Sequence, residues 1–124
     1  MLTILKYLFF ILAVFVVFGA PLPAAQLHIN QRADGYTVSL VENGQTLLSS
    51  PPEGLWSIAL DWQNKWPADW RHAKATKYEQ IGGWHVLSGD LKTAGGVWRI
   101  TDSYSQDGDL VKCVRRLSGM EKIN

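Results

Sequence analysis

Apolar and polar residues alternate in short runs along most of the chain after residue 25. Tyr36, Val38 and Leu40 alternate with Thr37 and Ser39, which is the two-residue period of a half-buried strand. Turn-forming pairs such as Asn-Gly, Gly-Gly and Asp-Gly separate this run from similar ones. The predicted strands cover residues 27–30, 36–40, 45–49, 55–62, 77–81, 84–91, 97–104 and 110–117. The pattern predicts an all-β fold, an antiparallel β-sandwich of about eight short strands.

Three tryptophans crowd the segment DWQNKWPADW at residues 61–70. The alternation before it predicts a core face for the strand over 55–62, made of Trp56, Ile58, Leu60 and Trp62. Pro67 disfavours α conformation at Trp66, so Trp66 is predicted to be extended and to lie in a loop. Only residues 67–73 are predicted to form a short helical turn, which carries Asp69 and Trp70.

The last predicted strand, over residues 110–117, leaves an open sheet edge, which is an aggregation liability. Two explanations are open at this point. Either a neighbouring chain covers the edge, or the sandwich is incomplete because the chain is the front piece of a longer protein.

The first 25 residues have the regions of a secretory signal peptide. Lys6 supplies the positive charge, residues 7–20 form an apolar run predicted to be helical, and small residues and prolines follow. The run is too short for a comfortable membrane span, which needs about 20 apolar residues. We expect cleavage near Ala24 or Ala25, a β-sandwich domain over residues 26–124, and export to the periplasm or the extracellular space. The alternative is an uncleaved segment that anchors the chain in a membrane.

Charge and cysteine content narrow the classes of protein. Removing residues 1–25 takes away one of the 12 basic residues and leaves 11 against 11 acidic ones. This balance predicts no nucleic acid partner, and membrane contact only through an uncleaved signal segment. Cys113 is the only cysteine, so it forms no internal disulfide and is predicted to be a buried, inert thiol. The three histidines are scattered, and no metal or other cofactor is predicted.

All six tryptophans lie between residues 56 and 98, among aspartates and histidines. Aromatic planes beside charged hydrogen-bonding groups are typical of carbohydrate sites. Core packing is the competing interpretation, favoured for three tryptophans that alternate with other apolar residues: Trp56, Trp84 and Trp98. Trp66 and Trp70 lie in the predicted loop, where the demand for core packing is weakest. Together with Asp69 they form the candidate glycan-binding site.

Paired carboxylates offer a second candidate chemistry. Asp61 with Asp69, or Asp90 with Asp102, could in principle act as the acid and base of glycoside hydrolysis, which needs two carboxyls about 5–10 Å apart. Aspartates at strand ends and turns are more commonly structural, because their side chains bond to nearby backbone groups. We therefore predict no catalytic residue.

Two adjacent arginines, Arg115 and Arg116, lie in the last predicted strand and point to opposite faces. One of them is therefore expected to lie against a carboxylate such as Asp102, as a structural ion pair.

Two segments carry a resemblance to a known group of proteins, GLWSIALDWQNKWPADWRHA (54–73) and GGWHVLSGDLKTAGGVWRITDSYSQDGDLVKCVRR (82–116). They resemble the start of large exported bacterial carbohydrate-active enzymes, in which an N-terminal β-sandwich precedes a helical-toroid catalytic domain of glycoside hydrolase or polysaccharide lyase type. The resemblance implies a module that packs against a catalytic domain and whose loops rim a sugar cleft. Because the chain ends soon after Arg116, it is expected to be an N-terminal fragment without the catalytic acid and base.

Three hypotheses for function follow. The first is an exported, non-catalytic β-sandwich module, accessory to a carbohydrate-active enzyme or its N-terminal part, with weak glycan contact through Trp66, Trp70 and Asp69. Its partners would be an oligo- or polysaccharide and a downstream catalytic domain or chain. The first alternative is a small glycoside hydrolase or lyase that uses carboxylates such as Asp61 and Asp102. The second is a cell-envelope interaction protein that completes its sheet with a partner.

Overall fold

The computed structural model of the chain describes residues 25–121, and this part consists of antiparallel strands without a helix. The predicted signal helix lies outside the described residues. The strands are β1 (Gln26–Arg32), β2 (Gly35–Glu42), β3 (Gln45–Ser49), β4 (Trp56–Gln63), β5 (Trp66–Ala73), β6 (Lys77–Ile81), β7 (Trp84–Thr93), β8 (Gly96–Asp107) and β9 (Leu110–Glu121). The predicted all-β, antiparallel class is confirmed. Within the described residues, no helix is long and apolar enough to cross a membrane.

The nine strands form three sheets, each a meander of neighbouring hairpins. The first sheet has the order β1-β2-β3, the second is the β4-β5 hairpin, and the third has the order β6-β7-β8-β9. Every pair is antiparallel, as expected for strands joined by short turns. The fold is therefore β-sandwich-like, with the β4-β5 hairpin as a separate small sheet.

The chain segment after β5 links the three sheets. The backbone N–H of Tyr36 in β2 donates a hydrogen bond to the carbonyl of Ala75 at 2.8 Å. One residue later, the N–H of Thr76 donates to the carbonyl of Ser88 in β7 at 2.9 Å. The rings of Tyr36 and Tyr78 also meet, with centroids 5.6 Å apart. These contacts fix the first sheet and the hairpin against the third sheet.

The core is small and lies where the base of the hairpin meets the third sheet. Its buried apolar residues are Trp56, Ala73, Ala75, Leu87, Leu91 and Ile100. Gly89 permits the close approach, because a Cβ at this position would lie 2.2 Å from the carbonyl oxygen of Lys74 and 2.8 Å from the Trp56 ring. Trp56 is thus a core residue, as the sequence predicted.

The predicted loop and helical turn over residues 63–73 are wrong, because β5 is a strand. Asn64 and Lys65 both have positive φ, 51° and 68°, which makes them the central residues of a tight type I′ hairpin turn. Pro67 is tolerated because β5 pairs only with β4 among the described strands, so its other edge requires no backbone donor. The predicted extended conformation of Trp66 is confirmed.

Five side chains predicted to be buried are not. Leu60 is 42% and Trp62 is 70% exposed, because the outer half of the hairpin extends past the core. Trp84 is 38% exposed because it points to the face of β7 opposite Leu87. Trp98 is 39% exposed because its ring lies over Gly119 of β9 and no second layer of the described residues covers it. Cys113 on β9 is also exposed, because no second layer of the described residues covers it.

Candidate functional site

A buried carboxylate lies at the centre of the molecule. Asp102 of β8 has no solvent exposure, and its side chain accepts four hydrogen bonds. Trp56 Nε1 and the Tyr104 hydroxyl each donate to Oδ2 at 2.9 Å. Arg115 donates from Nε to Oδ1 at 2.8 Å and from Nη2 to Oδ2 at 2.9 Å. The predicted ion pair is confirmed, with Arg115 as the partner of Asp102.

The four donors determine the charge state of this cluster. Burial alone would raise the pKa of Asp102, but the hydrogen bonds from Arg115, Trp56 and Tyr104 outweigh it and hold that pKa below its usual value. Burial, and then the charge of Asp102, raise the pKa of the Tyr104 phenol well above its usual value. The hydrogen bond to Asp102 raises the pKa of Arg115 in turn. Asp102 is therefore ionised, and Tyr104 and Arg115 remain protonated donors.

This cluster is built for stability rather than for proton transfer. A general acid needs a raised pKa and access to a substrate, and Asp102 has neither. A second aspartate from the sequence, Asp90, accepts a hydrogen bond from Arg99 Nε at 2.8 Å on the neighbouring strand. The cluster instead ties Trp56, at the base of the hairpin, to the third sheet.

The register of the β4-β5 hairpin places Trp66 and Trp70 on one face. Gln63 opposes Trp66, Asp61 opposes Ala68, and Ala59 opposes Trp70. Directly opposed residues share a face, and alternate residues of β4 share it too. The outer part of this face, called the aromatic face below, consists of Trp66, Ala68 and Trp70 on β5 and Ala59, Asp61 and Gln63 on β4, and the Ser57–His72 pair follows it toward the hairpin base.

The two indoles of the aromatic face are open to solvent. Trp66 is 74% exposed and Trp70 is 53% exposed. They are four positions apart on one strand, so their Cα atoms are about 13 Å apart. Ala59 and Ala68 are too small to cover the rings. The structure thus brings together two of the three predicted site residues.

Asp69, the third predicted site residue, lies on the opposite face. Its carboxylate accepts a hydrogen bond from Arg71 Nε at 3.0 Å, and Arg71 opposes Ile58, which shares a face with Trp56 and Trp62. The backbone of Asp69 has φ of 52°, and the strand ladder is interrupted at this residue. Asp69 is therefore placed away from the two tryptophans it was predicted to join.

Asp61, rather than Asp69, lies between the two tryptophans on the aromatic face. It opposes Ala68, the residue midway between Trp66 and Trp70, and its Oδ1 accepts a hydrogen bond from the Trp62 backbone N–H at 2.7 Å. The sequence alone offers Asp61 only as one half of a candidate catalytic pair. Recognising Asn64-Lys65 as a hairpin turn would have given this register and hence the position of Asp61.

Two histidines have hydrogen-bonding partners, His72 on the surface and His85 at a half-buried position. His72 Nδ1 is 2.9 Å from the Ser57 hydroxyl, and His85 Nδ1 is 2.7 Å from the Tyr78 hydroxyl. No group of three or more metal-binding side chains occurs in the part of the chain that the structure describes.

An open groove of about 490 Å³ lies on the outer face of the third sheet. It is lined by Ile81, Trp84, Val86, Thr101, Ser103, Val114 and Arg116. Arg116 is thus on the face opposite Arg115, as the strand alternation predicted. Nothing in the groove pairs a nucleophile with a base.

Comparison with known protein families, curated proteins and solved structures gives no match to this chain.

Proposed function

We propose that this protein is an exported, non-catalytic β-sandwich module that contacts glycan through the aromatic face of its β4-β5 hairpin. The observation that carries the proposal is the pair of solvent-exposed indoles, Trp66 and Trp70, on one face with Asp61 between them. The resemblance of residues 54–73 and 82–116 to the start of carbohydrate-active enzymes supports the further proposal that the chain is accessory to such an enzyme or its N-terminal part.

The spacing of the indoles favours an extended ligand. A separation of about 13 Å along a strand exceeds one sugar ring, so one oligosaccharide chain would contact both tryptophans. Each indole offers a flat apolar surface for the C–H groups of a sugar, and the carboxylate of Asp61 would accept hydrogen bonds from the hydroxyls between them. Contact of this kind on an open face predicts weak binding.

The hairpin provides its own matched control. Trp62 is 70% exposed and lies on the opposite face, where it opposes Pro67. We expect Trp66→Ala and Trp70→Ala each to weaken binding to immobilised polysaccharide by about tenfold, or ~1.4 kcal/mol. Trp62→Ala should leave binding unchanged. Affinity electrophoresis of the chain from residue 26 on a panel of polysaccharides measures all three variants.

Two outcomes would overturn the proposal. Binding that survives both Trp66→Ala and Trp70→Ala would place the glycan elsewhere. A membrane-inserting hairpin tip would instead bind phospholipid vesicles and lose that binding equally in all three tryptophan variants, because both faces of an inserted tip enter the lipid. Vesicle sedimentation separates this case from glycan contact.

A second candidate function depends on β9. This twelve-residue strand pairs with β8 over its whole length, and no other strand of the described residues pairs with its outer edge. Such an edge can accept a strand from a partner protein, which would make the chain an envelope interaction protein. Light scattering tests this candidate, because a clean soluble monomer across the concentration range would contradict self-association through β9.

A further inference from the structure

The charged residues of the hairpin are sorted by face. Asp61 is the one carboxylate on the aromatic face, where it opposes Ala68. Arg71 opposes Ile58 on the other face, and it is paired there with Asp69. Lys65 is in the turn, next to Trp66 at the end of the hairpin. Between the two indoles a ligand would therefore meet one negative charge, and the guanidinium of Arg71 would be on the far side of the sheet.

The carboxylate of Asp61 is held in place for contact with a ligand. The hydrogen bond from the Trp62 backbone N–H to Oδ1, at 2.7 Å, fixes the side chain and leaves Oδ2 to accept from outside. An ionised carboxylate only accepts hydrogen bonds, so its suitable partners are hydroxyl donors. A sugar carboxylate or sulfate at the same place would be repelled by the like charge.

From this arrangement we infer that the aromatic face is selective for neutral glycans over uronic-acid or sulfated ones. The inference rests on the proposed glycan contact and names the class of ligand for it. The selectivity comes from the position of one carboxylate, because the Asp69–Arg71 ion pair on the other face adds no net charge.

The test compares hexamers of one neutral sugar series with hexamers of galacturonic acid. Titration calorimetry at low ionic strength should give about tenfold tighter binding of the best neutral hexamer, with a smaller ratio when salt screens the charges. Asp61→Asn removes the charge and keeps an acceptor oxygen, so it should bring the two affinities together. Asp69→Asn removes an equal charge from the other face and should leave the ratio unchanged.

The outcomes separate the selectivity from the glycan contact itself. Absence of any hexamer binding that depends on Trp66 and Trp70 would overturn the proposed function. Tryptophan-dependent binding that is equal for the two hexamers, or tighter for the acidic one, would overturn only the selectivity. An equal effect of Asp61→Asn and Asp69→Asn would also overturn it, because overall charge would then determine the preference.

Discussion

Arg115 binds the buried carboxylate of Asp102 with two hydrogen bonds, from Nε at 2.8 Å and from Nη2 at 2.9 Å. The two residues are directly opposed in the β8-β9 register. Asp102 is fully buried, whereas the Arg115 side chain is 56% exposed at the edge of the sheet. The pair therefore joins the core to β9, and through the Trp56 indole it also joins the base of the hairpin.

Removing the Asp102 carboxylate should destabilise the fold strongly. Asp102→Ala leaves the buried Trp56 N–H and the Tyr104 hydroxyl without an acceptor, and we expect a loss of about 3 kcal/mol in the free energy of unfolding. Arg116→Ala, on β9 and on the face opposite Arg115, should change it by less than about 0.5 kcal/mol. Urea denaturation followed by tryptophan fluorescence measures both variants. Equal effects would contradict a structural role for the carboxylate.

Asp102 should also make stability depend on pH at the acid end. Its pKa in the folded protein is below the ordinary value of 3.8, so the unfolded chain binds the proton first as pH falls. The stabilisation of the fold by ionised Asp102 is thus fully present above about pH 4, and it is lost as pH falls through the pKa of Asp102 in the folded protein. Melting temperatures between neutral and acid pH should fall less steeply in Asp102→Asn than in the wild type. Asp34→Asn is the control, because its ion pair with Lys74 is exposed and screened.

Much of the fold could be predicted from local pattern. Alternation and Gly-containing turns placed strands in eight of the nine positions where the structure has them, because side-chain period and turn chemistry are local properties. An ion pair between one of the two adjacent arginines and a carboxylate such as Asp102 was also predicted, since adjacent strand residues point to opposite faces. The structure identifies Arg115 as that arginine.

The missed features depend on information that is not local. The turn at Asn64-Lys65 has no glycine, so β5 was not predicted, and the face shared by Trp66 and Asp61 was missed with it. The exposure of Trp62 could not be predicted, because alternation gives the face of a residue but not how far the core extends beneath it. Strand register and the burial of each strand by a second layer are tertiary properties, and they determine which side chains share the candidate site and which are exposed there.

A methyl group at Gly89 should disrupt the packing of the hairpin base on β7. The new Cβ would lie 2.2 Å from the Lys74 carbonyl oxygen and 2.8 Å from the Trp56 ring, so backbone has to move. We expect Gly89→Ala to lower the free energy of unfolding by about 3 kcal/mol. Gly83→Ala meets no atom within 4 Å and should be neutral or slightly stabilising. Thermal denaturation compares the two, and a harmless Gly89→Ala would contradict the close approach.

The hairpin turn should be improved by a glycine at Lys65. Lys65 has φ of 68°, a left-handed conformation that costs a non-glycine residue about 1 kcal/mol, whereas Asn-Gly is the preferred pair for this turn. Part of the gain is offset by the greater freedom of glycine in the unfolded chain, so Lys65→Gly should stabilise the hairpin by about 0.5 kcal/mol. Hydrogen exchange of the β4 and β5 amides should slow about twofold. Lys65→Ala keeps the strained φ and should not slow it, so equal protection in the two variants would contradict the type I′ turn.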